Sequence, residues 1–326
     1  MTSIGRERPL NECVVVVTPR SFGRDDPGLR QELESCVRTV EYRPGPHSAE
    51  ALAGLVPQAD GLIAGLDEVS ARVFAAAPRL RVVARYGTGT DQVDLDAARR
   101  SGVTVTTTPG ANANAVAELT VALAFALARP LLEGDDRVRH GDWPALRGLE
   151  LAGRVFGVVG LGRVGSRVAA KMSALGMEVL GYDPNVASPH ARLVPLHGLV
   201  AEADFISLHA PLTSGTRGLL GRSLLATVKP GAALINTARG ALVDEEALVW
   251  ALDAGLLRAA AVDVLVHEPP TATHPLVGRP NVIVLPHMGP HTAEATRAMS
   301  RMALDEVLAV LSGRQPRFPA TSGEAA

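Results

Sequence analysis

The amino-acid sequence predicts an α/β protein built on two parallel sheets, and three observations carry that prediction. Short, β-rich apolar runs alternate with helical stretches in the first third of the chain, and a second such series fills the latter half. A long apolar helical stretch separates the two series, and another helical stretch follows the second. Strand and helix in repeated alternation is the pattern of a parallel sheet, because each parallel pair needs a crossover to bring the chain back.

In the first series the strands are Val14–Val17, Gly61–Ala64, 81–84 and 103–106, and the helices are Ala49–Leu55, Ala71–Ala76 and Leu95–Arg100. Residues 112–129 are rich in Ala, Leu and Val and end before Pro130, whose missing N–H cannot continue a helix, so they form a connecting helix between domains. A Gly- and Asp-containing stretch, 134–149, then leads into the second series. Its strands are Val155–Val159, 179–182, Phe205–Leu208, 233–235, 260–264 and 282–285, short and bounded as a doubly wound sheet requires. Residues 292–311 have helical spacing and return the chain toward the first domain. Residues 315–326 lack periodicity and read as a loose tail without function.

Composition narrows the function classes. With 326 residues, 47% of them hydrophobic, the chain suits two domains of ordinary size. Its 32 basic and 34 acidic residues are interspersed and leave a net charge of -2, so no field is directed at nucleic acid or an anionic membrane. Cys13 and Cys36 are too far apart for a C-x-x-C motif and read as reduced thiols of a cytoplasmic protein, with neither disulfide nor metal. Val14–Val17 is ended by Thr18 and Pro19 and is too short for a signal core. The apolar stretch 115–128 carries Glu118 and falls short of the roughly 18 residues that a membrane span needs.

One motif points to a dinucleotide. Val155–Val159 runs directly into Gly160-Leu161-Gly162-Arg163-Val164-Gly165 and then into a helix over 166–175, the strand, glycine turn and helix in the required order. Gly160 permits the tight turn, Gly162 lets the backbone approach a pyrophosphate, and Gly165 lets helix and strand pack closely. The helix N-terminus offers N–H groups and partial positive charge to the phosphates. Asp183 ends the next strand, where a carboxylate accepts the ribose hydroxyls and would repel a 2'-phosphate. Pro184-Asn185-Val186 supply no cation, so NAD is favoured over NADP.

Three polar residues follow strands of the second series: Arg239, Glu268 and His287. Ketone reduction needs a cation for the substrate carboxylate, a hydride donor and an acid for the developing alkoxide. Arg239 can grip a carboxylate in bidentate fashion, and His287 can supply the proton while Glu268 fixes the ring's tautomer. Taken singly they read as a surface cation, a turn residue and a strand-end histidine.

With Arg85-Tyr86-Gly87-Thr88-Gly89-Thr90-Asp91, Thr108-Pro109-Gly110-Ala111-Asn112, Ala117-Glu118-Leu119-Thr120, Asn236-Thr237-Ala238-Arg239-Gly240, Glu268-Pro269-Pro270 and Pro286-His287-Met288-Gly289 added, the chain resembles the D-isomer-specific 2-hydroxyacid dehydrogenases over residues 12–312. Within that family the pattern is nearest the phosphoglycerate dehydrogenase branch without regulatory domains. The resemblance implies two Rossmann-like domains, an NAD-binding domain of residues 108–290 inserted into a flavodoxin-like substrate domain of residues 1–107 and 291–326, and a homodimer. It implies an NAD-dependent oxidoreductase acting on a D-2-hydroxy acid or 2-keto acid, with Arg239, Glu268 and His287 catalytic. By the same resemblance Arg163, Val164 and Asp183 meet the adenosine and phosphate portion, Ala210, Pro211, Thr237, Ala238, Asp263 and Gly289 also line NAD, and Thr108 touches the nicotinamide end. The N–H groups of Thr88 and Gly89 can form an anion nest for the substrate carboxylate, with Arg85 as a nearby cation, or only a strand-to-helix turn.

The chain departs from that branch where Gly65-Leu66-Asp67-Glu68 replaces the Arg and Ser suited to a phosphate, and two carboxylates there would repel one. Gln92 replaces a usual Asn, and Pro290-His291 stands where small residues are common, His291 reading as a helix start. Three functions stay open: a 2-keto acid reductase, whose substrate could still carry a second anion such as the phosphate of 3-phosphoglycerate; an oxidoreductase for a phosphonate-bearing hydroxy acid or phosphite; and an NAD-sensing, corepressor-like binding protein. The absence of a basic patch or interaction tail counts against the last.

Overall fold

The computed structural model describes residues 8–320, which divide into two compact units. The first takes in the chain up to Asn112 and from His291 onward, and the second is Ala113–Pro290. Residues 108–112 therefore pack with the first unit.

The first unit begins with β1 (Val14–Val17), α1 (Gly28–Cys36), β2 (Thr39–Tyr42), α2 (Ala49–Leu55), β3 (Gly61–Ala64), α3 (Ala71–Ala76), β4 (Val82–Arg85), α4 (Leu95–Arg100) and β5 (Thr104–Thr106). Its sheet runs β2-β1-β3-β4-β5, every pair parallel. Successive strand residues point to opposite faces, and helices cover both, which is why β1, β3 and β4 are buried throughout. Val16, Leu62 and Val83 pack against Leu52 of α2 and Val73 and Phe74 of α3. Side-chain caps start several helices, such as the carboxylate of Asp94, which accepts from Ala97 N at 2.8 Å.

The second unit comprises α5 (Ala113–Ala128), α6 (Leu131–Arg139), β6 (Val155–Val159), α7 (Gly165–Ala174), β7 (Glu178–Tyr182), β8 (Arg192–Leu193), α8 (Leu196–Glu202), β9 (Phe205–Leu208), α9 (Arg222–Leu225), β10 (Ala232–Asn236), α10 (Glu245–Asp253), β11 (Leu257–Val262) and β12 (Val282–Val284). The sheet order is β12-β11-β10-β9-β6-β7-β8, again all parallel. α5 and α7 cover one face through Ala117, Leu123, Val168 and Met172. α8 and α10 cover the other through Leu199, Val200, Leu248 and Leu252. No single helix among the described residues is long and apolar enough to cross a membrane.

The chain then returns to the first unit as α11 (Ala293–Leu311), whose Met299, Leu304 and Val307 join Leu29 and Leu33 of α1 on Val15, Val17, Ile63 and Val82. The expectation of a loose tail is corrected beyond this helix. Thr107 N donates to Phe318 O at 3.0 Å and Ala320 N to Val105 O at 2.8 Å, so residues 318–320 run antiparallel along the outer edge of β5. Buried Glu306 holds them there by accepting from Arg317 N and Phe318 N, each at 3.1 Å. The rest of the predicted tail, 321–326, lies outside the described residues.

Each sheet has one point where its strand order reverses, between β1 and β3 in the first unit and between β6 and β9 in the second. Crevices at the carboxyl ends of the strands at such points are where open α/β sheets bind ligands.

Candidate active site

The glycine loop opens at the reversal point of the second unit. Gly160, at φ 91°, bonds through its N–H to Tyr182 O at 2.8 Å, and a Cβ there would come within 2.7 Å of the backbone of His209 and Ala210. That contact brings the loop after β6 onto the start of the loop after β9, which continues to exposed Pro211. At Gly165 a Cβ would sit 1.8 Å from Gly160 O, so only glycine closes this turn. Gly162 has nothing within 4 Å of its Cβ direction and is exposed, as is Arg163, with Val164 half-buried, so the backbone before α7 is open to the approach of a pyrophosphate. Ser166 Oγ caps the turn on Leu161 O.

Asp183 is half-buried at the end of β7. One of its carboxylate oxygens accepts from Leu161 N at 2.7 Å and the other from Asn185 N and Val186 N at 2.8 and 3.0 Å. The carboxylate is thus fixed beside the glycine loop with lone pairs left for ribose hydroxyls. These residues fit a dinucleotide.

Sequence reading passed over His209. It lies just beyond β9, two residues after buried Ser207 on the same side of the strand, and its Nε2 meets Ser207 Oγ at 2.8 Å. Burial pushes this imidazole down to about 3, so it is neutral at working pH. The i, i+2 pairing of two polar residues at the carboxyl end of an apolar strand was the available signal.

Arg239, Glu268 and His287 all stand in the second unit, beyond β10, β11 and β12. Arg239 is set by Asn236, whose buried side-chain amide donates to Arg239 O at 2.8 Å and accepts from Ala238 N at 3.1 Å. His287 Nδ1 lies 2.7 Å from Glu268 Oε2, and the other carboxylate oxygen accepts from Leu265 N at 2.9 Å. Burial pushes the Glu268 carboxyl up, but the bond and charge of His287, the Leu265 amide and the nearby Arg239 together hold it below the usual carboxylate range. Glu268 is therefore an anion that accepts a hydrogen bond from Nδ1–H, which leaves the other ring nitrogen, Nε2, able to give and take a proton.

His287 adopts φ 52°, left-handed backbone that a non-glycine residue enters only when held there. Asp263 supplies the hold, its oxygens accepting from Met288 N at 2.8 Å and Gly289 N at 2.7 Å. Its carboxylate is thus turned to the chain beside His287, a role that the expectation of a simple NAD contact did not contain. Burial raises the Asp263 carboxyl, and its two amide bonds offset only part of that. Thr237, buried at the end of β10, bonds through Oγ1 to Thr120 Oγ1 of α5 at 3.0 Å, and Ala238 follows half-buried. Gly240 packs directly on the chain that leads to Glu268, since a Cβ there would lie 2.1 Å from the Leu265 carbonyl carbon.

In the first unit, Thr88 and Gly89 sit half-buried in the loop after β4, and their N–H groups have no acceptor among the described residues. Arg85, expected as a nearby cation, is buried. It is the last residue of β4, 4% exposed, and its guanidinium bonds to Ala64 O and Tyr86 O at 3.3 and 3.2 Å. Thr108 belongs to this unit, with its hydroxyl buried and its N–H on Gly87 O at 3.0 Å. Asp67 is also turned inward. It bonds to Thr18 Oγ1 and accepts from Gly65 N at 2.8 Å and His47 N at 2.9 Å, which corrects its reading as a carboxylate displayed to substrate.

The family profile described as D-isomer specific 2-hydroxyacid dehydrogenase, NAD binding domain, matches residues 121–289. The chain is 43% identical over 282 residues to the D-3-phosphoglycerate dehydrogenase of Mycobacterium leprae, covering 84% of this chain but only 53% of that protein. It is 38% identical over 305 residues to the glyoxylate reductase of Thermofilum pendens, covering 89% of this chain and 90% of the relative. Among solved structures, the TT0316 protein of Thermus thermophilus superposes with a TM-score of 0.86 at 41% identity, over 94% of this chain and all of that one. The chain spans about half the length of the M. leprae enzyme. Glycine loop, the carboxylate of Asp183 beside it and strand-end Arg, Glu and His therefore have one common explanation: the chain belongs to the D-isomer specific 2-hydroxyacid dehydrogenase family, with residues 121–289 as its NAD binding domain.

Proposed function

We propose that the chain is an NAD-dependent oxidoreductase that interconverts a 2-keto acid and its D-2-hydroxy acid. The observation that carries this is the 2.7 Å pairing of His287 with Glu268 on a backbone held in the left-handed region, with Arg239 within electrostatic reach. NAD, which the glycine loop and Asp183 would hold, would supply or accept the hydride. Arg239 grips the substrate carboxylate and polarises the keto oxygen beside it. His287 Nε2 gives that oxygen its proton in reduction and takes it back in oxidation, while Glu268 steadies the imidazolium between the two. In the first unit, the amides of Thr88 and Gly89 are proposed as an anion nest, in a loop that Arg85 braces through Tyr86 O.

The loop after β3 carries no cation. With Asp67 turned inward, it offers exposed Leu66 to solvent, which supports a small keto acid with an uncharged substituent. A keto acid with a second anionic group is the other reading, supported by Arg20. This exposed cation follows Pro19, whose Cα lies 3.6 Å from the Cβ direction of Gly65, at the reversal point of the first sheet.

A homodimer through the second unit is supported by α6 and the chain after it, where Leu131, Leu132, Val138 and Trp143 are 50–89% exposed and α6 has no buried residue. Two free thiols suit a reducing compartment such as the cytoplasm. The test is oxidation of NADH and NADPH across glyoxylate, hydroxypyruvate, pyruvate, phosphohydroxypyruvate and phosphonopyruvate. Turnover of NADH on a member with an uncharged substituent supports the first reading, and turnover only on a phosphate or phosphonate supports Arg20. No turnover with NADH still bound overturns both.

A further inference from the structure

We infer that Glu245 is a positioning residue for the reaction, clamping the loop that carries Glu268 so that its carboxylate stays on His287; this rests on the proposed roles of those two residues. Glu268 lies in a loop that leaves β11 at Val262 and rejoins the sheet only at Val282. Such a span holds a side chain within hydrogen-bond reach only where it is tied down along its length.

Glu245 ties it at two places. It is the first residue of α10, in a helix start set by Asp244, whose carboxylate accepts from Ala247 N at 3.1 Å. One Glu245 oxygen accepts from Val266 N at 3.0 Å, and the other faces His274 Nε2 at 3.5 Å. His274 Nδ1 accepts from Leu276 N at 3.3 Å, so the ring's proton sits on Nε2, directed at Glu245. The side chains are half-buried, 21% and 11% exposed, which shields the pair from water in part. One carboxylate thus bridges the loop two residues before Glu268 and six residues after it.

The same short segment, 239–245, carries Arg239 at its start, packs Gly240 on Leu265 and ends in Glu245. The residue that grips substrate and the residue that orients the histidine therefore share one support. Nothing in this clamp touches the glycine loop or Asp183, so its loss is expressed in turnover rather than in dinucleotide affinity.

A double-mutant cycle tests the inference. The kcat is measured at saturating NADH for wild type, Glu245→Ala, Glu268→Gln and the double variant, with NADH affinity read by fluorescence and folding by thermal melting. Glu245→Ala is expected to cost about tenfold in kcat, short of the ~10²-fold that a 1 Å misplacement can impose. In the Glu268→Gln background it should cost less than about twofold, because the loop then has no carboxylate to place. NADH affinity should not change. Equal losses in both backgrounds, or none in the wild type, overturn the clamp alone. If Glu268→Gln leaves kcat intact, the role of Glu268 falls and the clamp with it. Should Glu245→Ala fail to fold, His274→Ala removes the second tie and takes its place in the cycle, with the same outcomes deciding.

Discussion

Substituting Gly240 by Ala gives the sharpest probe of how Arg239 and Glu268 are held together. The added Cβ would lie 2.1 Å from the Leu265 carbonyl carbon and 2.4 Å from both Leu265 O and Val266 N. All three neighbours are backbone, so no side chain can rotate aside. Ordinary contact begins at 3.4 Å, and 3.4 − 2.1 leaves 1.3 Å of separation to be found between the Arg239 turn and the start of the Glu268 loop. Misplacing a reacting group by about 1 Å costs on the order of 10²-fold in rate, or about 2.7 kcal/mol of transition-state stabilisation. Overpacking itself costs about 1–3 kcal/mol of stability, a fall of roughly 2–12 °C in Tm for a domain of this size. The assay is NADH oxidation on the substrate identified from the keto-acid panel, with melting followed in parallel. A variant that keeps kcat/KM within about threefold and melts with the wild type would refute the contact and the coupling drawn from it.

Further outcomes follow from the same geometry. His287→Ala should abolish turnover while NADH fluorescence titration still shows binding; retained turnover would remove His287 as the proton donor. Burial holds His209 near 3, whereas an unfolded histidine titrates near 6.5, so on acidification the unfolded chain takes up a proton that the fold refuses. This residue's contribution to stability is present above about pH 6.5 and is lost as pH falls toward 3, by up to ~1.4 kcal/mol per pH unit. Urea midpoints at pH 7.5, 6 and 5 should therefore fall more steeply for wild type than for His209→Gln, and parallel slopes would show the ring to be accessible to protons. If the proposed homodimer forms through α6, replacing exposed Leu132 and Trp143 by Asp should convert it to monomer in light scattering, and an unchanged dimer mass would move the interface elsewhere.

Val14–Val17, Gly61–Ala64 and Val155–Val159 were legible because strands covered on both faces leave unbroken apolar runs. The glycine loop was legible because its chemistry is local, six consecutive residues between a strand and a helix. α1 was not, since only Leu29 and Leu33 of its nine residues are buried, and β2 was not, as an edge strand with no fully buried residue. Sequence also records charge without direction. Asp67 counted as a carboxylate facing substrate but bonds inward to Thr18, and Arg85 counted as a nearby cation without any sign that it would be buried on two carbonyls of its own unit. Residues 318–320 escaped notice because pairing along β5 uses backbone groups, which leave no side-chain pattern. The partners of Asp263 are backbone amides too, and a resemblance that assigned it to NAD carried no trace of them.

The first unit is made from two separated pieces of chain, and this orders events on the ribosome. Its sheet is synthesised early, but α11 and the residues that cover β5 emerge only after the whole of Ala113–Pro290. At about 5–20 residues per second that interval lasts roughly 10 to 35 s. Throughout it, Val15, Val17, Ile63 and Val82 lack the cover of α11, and β5 presents a bare edge open to pairing with other nascent chains. The contiguous second unit has no such wait and can fold as it leaves the tunnel. Slow translation through the second unit thus lengthens the exposure of the first, and chaperone demand falls on the piece of the protein that was made first.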